Sequence, residues 1–326
     1  MTGGSGSANF SVSEHGTLAY VPGGAGSQTS GASSLVWVTR QGREEQIAAP
    51  LRNYAYPSLS PDGTRAALAI DDEERDIWLW DFTRPTLTRL TFDPGREWYP
   101  GWTPDGRRIV FVSARGSVFN LYRRFADGTG SDERLTTSPH TQFGTPSFRP
   151  DGTRVVFTEV TPETGEDLMM LSLDGTPRTE PLLRTQFAER NAHISPDGHW
   201  LAYESNESGQ EEVYVRPFPN VSDGRWQISS AGGNVPLWAR SGRELFFRSG
   251  ASLMSVSVQT TPTFSAASPT KLFEGYLSGL GRTYDVSRDG QRFLMIKNNS
   301  SREQTAATMV VVLNWFEELK ARVPLE

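Results

Sequence analysis

The sequence predicts an all-β fold, a seven-bladed β-propeller of four-stranded antiparallel blades with a short C-terminal helix, on three observations. A turn motif returns seven times along the 326 residues. Its spacing is nearly constant. Each copy lies between runs rich in β-branched and aromatic residues, with no helical pattern separating one copy from the next.

The motif is clearest in "SPDGTRAALAI" from Ser60, "TPDGRRIVFVS" from Thr103, "RPDGTRVVFTE" from Arg149 and "SPDGHWLAYES" from Ser195. Weaker copies are "SRDGQRFLMIK" from Ser287, "ARSGRELFFRS" from Ala239 and "SEHGTLAYVPG" from Ser13. The closing glycines, Gly16, Gly63, Gly106, Gly152, Gly198, Gly242 and Gly290, are 47, 43, 46, 46, 44 and 48 residues apart, the period of one propeller blade. Pro presets φ, Asp bonds its own backbone and Gly accepts positive φ, so each motif is expected at a hairpin tip. Four places before each glycine stands an apolar residue (Val12, Leu59, Trp102, Phe148, Ile194, Trp238 and Val286), expected in the packing between blades.

Second strands follow the turns, as in "RAALAI" and "RIVFVS"; third strands include "DIWLWDF" at 76–82 and "EVYVRPF" at 212–218; fourth strands are short, as in "LTRLTF" at 87–92. Such units cannot bury both faces alone and must stack in a ring. The seam is the irregular place. The last unit offers strands near 283–287, 292–297 and 308–313, then "NWFEELKA", read as a short helix over 314–322. The closing blade then either has three strands, the preferred reading, or is completed by residues near 2–6. Residues 1–7 read as a flexible start and 23–34, "GGAGSQTSGASS", as a flexible loop of blade one. One domain is expected over 1–326.

Composition narrows the function. Net charge is −6 and the 32 basic residues are scattered, so the footprint of a nucleic-acid binder is missing. Zero cysteines remove disulfides, thiolate metal sites and cysteine nucleophiles. No apolar run reaches the roughly 18 residues of a membrane span, and "MTGGSGSANF" lacks the pattern of a secretory signal. The chain as given is expected to be a soluble monomer. Its glycine-rich start suggests a piece of a longer bacterial protein, extracytoplasmic or otherwise.

The Pro-Asp-Gly hairpins, followed by Asp/Glu-[Ile/Leu/Val]-[Trp/Tyr] strands, resemble the TolB-type propeller repeat. "DIWLWDF", "RLTFDPG", "YPGWTPDGRRIVF", "SNESGQEEVYVRPFPN" and "PLWARSGRELFF" are most similar to the propeller C-terminal to a serine/threonine kinase domain in some soil bacteria. The resemblance covers nearly the whole chain, implies the fold, and implies binding of proteins or ligands. The kinase loops are absent, as is the "GxSxG" elbow of the hydrolases that carry the same repeat.

A site is expected in or at the central channel. With two-residue alternation, positions five before the glycine line it: Ser11, Ser58, Gly101, Ser147, His193, Leu237 and Asp285. A second ring seven before it holds Asn9, Tyr56, Tyr99, Thr145, Asn191, Val235 and Thr283. Preceding loops add Glu97, Trp98, Glu189, Arg190, Asn234 and Arg282. The leading reading is a non-catalytic module that binds a protein or small ligand at this funnel mouth, through Trp98, Tyr99, Tyr56, Glu97, Glu189, Arg190, Asn191 and Arg282. Trp98 there either stacks on a ligand or plugs the funnel. The alternative is an esterase-like hydrolase with His193 as base beside Asp285 and a ring serine such as Ser147. A polar, water-filled channel without chemistry is the plainer account of the same residues. A purely structural sensor region is a third possibility. No metal site or cofactor is expected, because His15, His140 and His199 fall on outer turns, and "DDEERD" at 71–76 reads as a solvated loop.

Overall fold

The computed structural model describes residues 10–13, 17–20, 32–72, 74–116, 118–276, 281–299, 310–312 and 315. The chain divides into two compact units, Ser33–Asn298 and the pair Met1–Ala32 with Asn299–Glu326. The larger unit holds six antiparallel blades, not seven. Blade one is Tyr54–Leu59, Arg65–Asp71, Arg75–Asp81 and Thr86–Arg89. Blade two is Glu97–Trp102, Arg108–Ser113, Asn120–Phe125 and Glu133–Arg134. Blade three is Thr141–Phe148, Arg154–Thr161, Gly165–Ser172 and Arg178–Leu183. Blade four is Glu189–Ile194, Trp200–Ser205, Glu212–Pro217 and Trp226–Gln227. Blade five is Asn234–Trp238, Glu244–Ser249, Ser252–Gln259 and Thr270–Glu274, with Ser265–Ala266 as a further short partner of its third strand.

Blade six is assembled from both ends of this unit. Tyr284–Val286 and Arg292–Asn298 supply its inner strands, and Ser33–Thr39 and Glu44–Gln46 its outer ones. The seventh blade is thereby overturned. Ser33–Thr39, which takes in the last two residues of the loop expected in a first blade, pairs instead with Arg292–Asn298, Phe293 opposite Val38 and Met295 opposite Val36. Packing explains the choice. Leu35 and Trp37 join a core with Leu59, Leu68 and Trp80 of blade one, whereas Val36 and Val38 join one with Leu237 and Phe246 of blade five. A strand apolar on both faces needs a neighbour on each, and the closing position in the ring provides them. The first motif belongs to the smaller unit, where Phe10–Val12, Leu18–Tyr20 and Val310–Val312 form a three-stranded sheet. Among the described residues no helix extends beyond the single helical residue Trp315. Of the helix expected over 314–322 only Trp315 is described; residues 1–7 and most of 23–34 also lie outside the described residues.

Two repeated devices build the blades. At the hairpin tips Asp62 Oδ1 accepts from the Thr64 N–H at 3.0 Å and the Ser60 hydroxyl at 2.6 Å, and Asp105, Asp151, Asp197 and Asp289 repeat the backbone bond. Gly63, at φ 76°, completes the turn where a side chain would be strained. The second device lies at the start of the third strands, where a carboxyl or amide side chain recurs. Asp76, Asn120 and Glu212 are buried there, and the next N–H donates to a hydroxyl beyond the fourth strand: Ile77 to Thr91, Leu121 to Thr136 and Val213 to Ser229, all at 2.9 Å. These repeated residues seal the outer part of the blade.

Candidate functional site

The innermost strands surround a cavity of about 280 Å³. Ser58, Gly101, Ser147, His193, Leu237 and Asp285 line it, one from each blade, and Pro61, Pro104, Pro150, Pro196 and Arg240 border it from the hairpin turns. Gly101 is required by the approach of blade three, since a Cβ there would stand 2.8 Å from the carbonyl oxygen of Pro146.

Several lining side chains hold neighbouring blades together. The Ser147 hydroxyl oxygen accepts from the Ile194 N–H at 2.8 Å, and His193 Nδ1 from the Trp238 N–H at 3.0 Å. Asp285 Oδ2 accepts from the Leu59 N–H at 2.7 Å, joining the last blade to the first, while Oδ1 accepts from the Val286 N–H at 2.8 Å. The indoles of Trp102 and Trp238 donate to the carbonyl oxygens of Ser58 and His193 at 2.9 and 3.1 Å.

These bonds fix the chemistry on offer. With Nδ1 an acceptor, the neutral imidazole of His193 carries its proton on Nε2 and is a donor there. Burial, then Arg282 and Arg240, holds its pKa well below the usual histidine value. Arg282 is 8% exposed, lines the cavity, and makes no hydrogen bond or ion pair among the described residues. Burial lowers its pKa from the ordinary arginine value, with the Asp285 carboxylate opposing that shift. Asp285 is itself raised by burial, against the pull of Arg282.

The second ring is interrupted. In blades one to five the register between first and second strands shifts, as between Ala55 and Ser58 or Arg190 and His193. Tyr56, Tyr99, Asn191 and Val235 sit at these bulges with φ of 50 to 55°. A bulge resets the two-residue alternation, so Tyr99 and Val235 enter the packed core between blades. Thr145 and Thr283 are also buried, whereas Asn9 lies outside the described residues.

Around these bulges the other expected funnel residues are engaged by partners within the protein. The rings of Tyr56 and Tyr99 lie 4.1 Å apart between centroids, and a Cβ on Gly281 would stand 3.4 and 3.3 Å from them. Trp98 packs on Tyr56, Tyr99 and Phe119, with the Arg75 guanidinium 4.0 Å over its ring. Arg190 bonds Glu204 at 2.5 Å, Glu166 at 2.8 Å and Glu211, and Asn234 reaches Glu211 at 3.2 Å. Glu97 is fully buried against Arg115 at 2.5 Å; Glu189 is buried and accepts from the Thr185 hydroxyl. Burial pushes both carboxyls up to about 7. Asp93, Glu97 and Asp132 cluster closely enough to suit a cation, but Arg115 pairs with all three.

No family model matches the chain. It is 32% identical over 166 residues to an uncharacterised protein of Agrobacterium fabrum, covering 49% of this chain and 54% of that one. It is 33% identical over 110 residues to an uncharacterised peptidase of Bacillus subtilis, covering 31% of this chain and 16% of that one. The chain thus spans about half the length of one curated relative and a small part of the other. Among solved structures, a protein assigned as TolB from Agrobacterium tumefaciens superposes with a TM-score of 0.63 at 17% identity, covering 82% of this chain and 98% of that one. TolB from Acinetobacter baumannii gives 0.53 at 16% identity, over 81% and 64%. An oligogalacturonate lyase in complex with manganese gives 0.51 at 13% identity, over 83% and 98%.

The fold is that of a TolB-like β-propeller.

Within this TolB-like propeller, sequence reasoning overlooked Arg240. Its signal was present. Four hairpins carry Pro two places before the glycine, whereas "ARSG" carries Arg240 there, on the rim of the cavity. Of the expected funnel residues, the TolB-like propeller brings Arg282 to the cavity beside the channel set Ser58, Ser147, His193 and Asp285.

Proposed function

We propose that the chain is a non-catalytic binding module that takes a protein segment or a small ligand into the central cavity between the hairpin turns. What carries the reading is the state of the lining groups. The one acceptor nitrogen of the neutral His193 ring is taken by a backbone donor, and each oxygen of Asp285 already accepts one. The groups left to a ligand are mainly donors: the imidazole Nε2–H, the Ser147 hydroxyl and the Arg282 guanidinium, with the Ser58 hydroxyl able to donate or accept. Such convergent polar groups between apolar walls of Leu237, Trp102 and Trp238 are the usual make-up of a ligand pocket.

The second reading, an esterase-like hydrolase, is favoured by the proximity of His193 to ring serines around one cavity. It requires the imidazole to exchange its bond to Trp238 for a catalytic one. The two are separated by turnover of p-nitrophenyl esters beside His193→Ala, together with the imidazole NMR signal of His193 while anionic, neutral and cationic fragments are added. Binding predicts no turnover and a His193 signal that moves. Turnover lost in His193→Ala establishes the hydrolase, and a His193 signal indifferent to every fragment overturns the binding site.

A further inference from the structure

The cavity is cationic in an acidic protein. Its charged lining consists of Arg240, Arg282 and Asp285, a surplus of one positive charge in a chain of net charge −6. Arg282 is the unusual member. Arg115 pairs with Asp93, Glu97 and Asp132, Arg124 with Asp132 and Arg190 with three glutamates, while the comparably buried Arg248 donates to the Gly281 carbonyl and the Thr283 hydroxyl at 3.5 Å. Arg282 is as buried as a core residue, yet it has no hydrogen-bonded or ion-paired partner among the described residues. A guanidinium taken from water without a partner is costly, and such a group is retained where something else supplies the partner. Asp285 acts on it electrostatically but forms no hydrogen bond or ion pair with it among the described residues, and each of its oxygens already accepts a backbone N–H, from Leu59 and from Val286.

The surrounding groups say what would. The Ser147 oxygen already accepts from Ile194, so its proton is free to be donated, and His193 presents Nε2–H. Arg240 adds a second cation at the rim and makes no hydrogen bond or ion pair among the described residues. Donors and positive charge prevail, the surplus is a single charge, and the planar fork of a guanidinium matches a carboxylate at two points. We infer that the cavity binds a carboxylate, borne by a small organic acid or by an acidic peptide segment, with Arg282 as the anchor and His193 and Ser147 completing its shell. This rests on the binding reading above.

Isothermal titration at pH 7 and low salt tests it with four probes: glutarate, its neutral isostere glutaramide, inorganic phosphate, and the peptide acetyl-Gly-Glu-Gly-amide. Glutarate or the peptide is expected to bind at least about tenfold more tightly than glutaramide. The tighter of the two identifies the source of the carboxylate. Arg282→Met is expected to remove that preference while raising the melting temperature of the free protein, because an unpartnered buried charge has gone. Arg282→Lys, which keeps the charge without the fork, should bind weakly and serves if the methionine variant does not fold. Equal binding of glutarate and glutaramide, tighter binding of phosphate, or full affinity in the Arg282 variants would overturn the inference. Should the carboxylates fail while the His193 signal still answers a neutral or cationic fragment, the carboxylate inference falls and the binding module stands. If nothing moves that signal, both fall.

Discussion

Glu189→Gln tests the electrostatics of the inner strands most directly. The Glu189 side chain is 1% exposed, one oxygen accepts from Thr185 and the other has no partner among the described residues. Burial raises its pKa from 4.5 to about 7. The folded protein therefore binds this proton more tightly than the unfolded chain, and stability falls as pH rises between those two values. The penalty is complete above pH 7 and absent below 4.5. A shift of that size corresponds to roughly 3 kcal/mol as an upper figure. Glutamine keeps the oxygen facing Thr185 and cannot ionise, so the variant should be more stable than the parent by about 2 kcal/mol at pH 8, after some loss to its unpaired amide. The advantage should shrink through pH 6 and vanish near pH 4. Urea denaturation of both proteins at these pH values measures the difference, in which the titration of all other groups cancels. A destabilised variant at pH 8, or a gap independent of pH, would refute the argument.

Two further predictions concern the ring. Gly101→Ala places a methyl group 2.8 Å from the Pro146 carbonyl oxygen; overpacking of this kind costs about 1–3 kcal/mol, read as a lowered melting temperature. Asp285→Ala leaves the N–H groups of Leu59 and Val286 unpaired where the last blade meets the first, for a loss of about 2–4 kcal/mol in urea denaturation. Asp285→Asn retains one acceptor oxygen and should recover about half of it.

The blades were legible because their information is local. Each Pro-Asp-Gly turn, with the strand on either side, is written within about a dozen residues, and Trp102 and Trp238 fall in the core where their register puts them. The blade count was not legible, because a strand's sequence carries its burial but not the identity of its neighbour. Ser33–Thr39 reads equally well as the third strand of a first blade or of a last one. Only the alternate contacts of Leu35 and Val36 with different blades decide between them. Six of the seven channel residues five before the glycine follow from alternation, Ser11 belonging to the smaller unit, whereas the ring seven before it lies beyond the bulges. Pro57, Pro100 and Pro236, each following a residue of positive φ, were the available sign of that interruption. The partners of His193 and Asp285 belong to other blades, about 45 and 226 residues away, a separation no local pattern can encode.

The mixed origin of blade six bears on how the molecule is made. Ser33–Thr39 is made well before Arg292–Asn298 and must wait, with both faces apolar, until that strand exists to pair with it. Joining segments roughly 250 residues apart rather than across a four-residue turn spans about six doublings of loop length, close to 4 kcal/mol of chain entropy. That entropy must be overcome before the closing contacts form, so ring closure should come late and slowly during folding. Until then the waiting strand is an exposed edge able to pair with another nascent chain, and exchange of this strand between molecules is the aggregation route the topology invites.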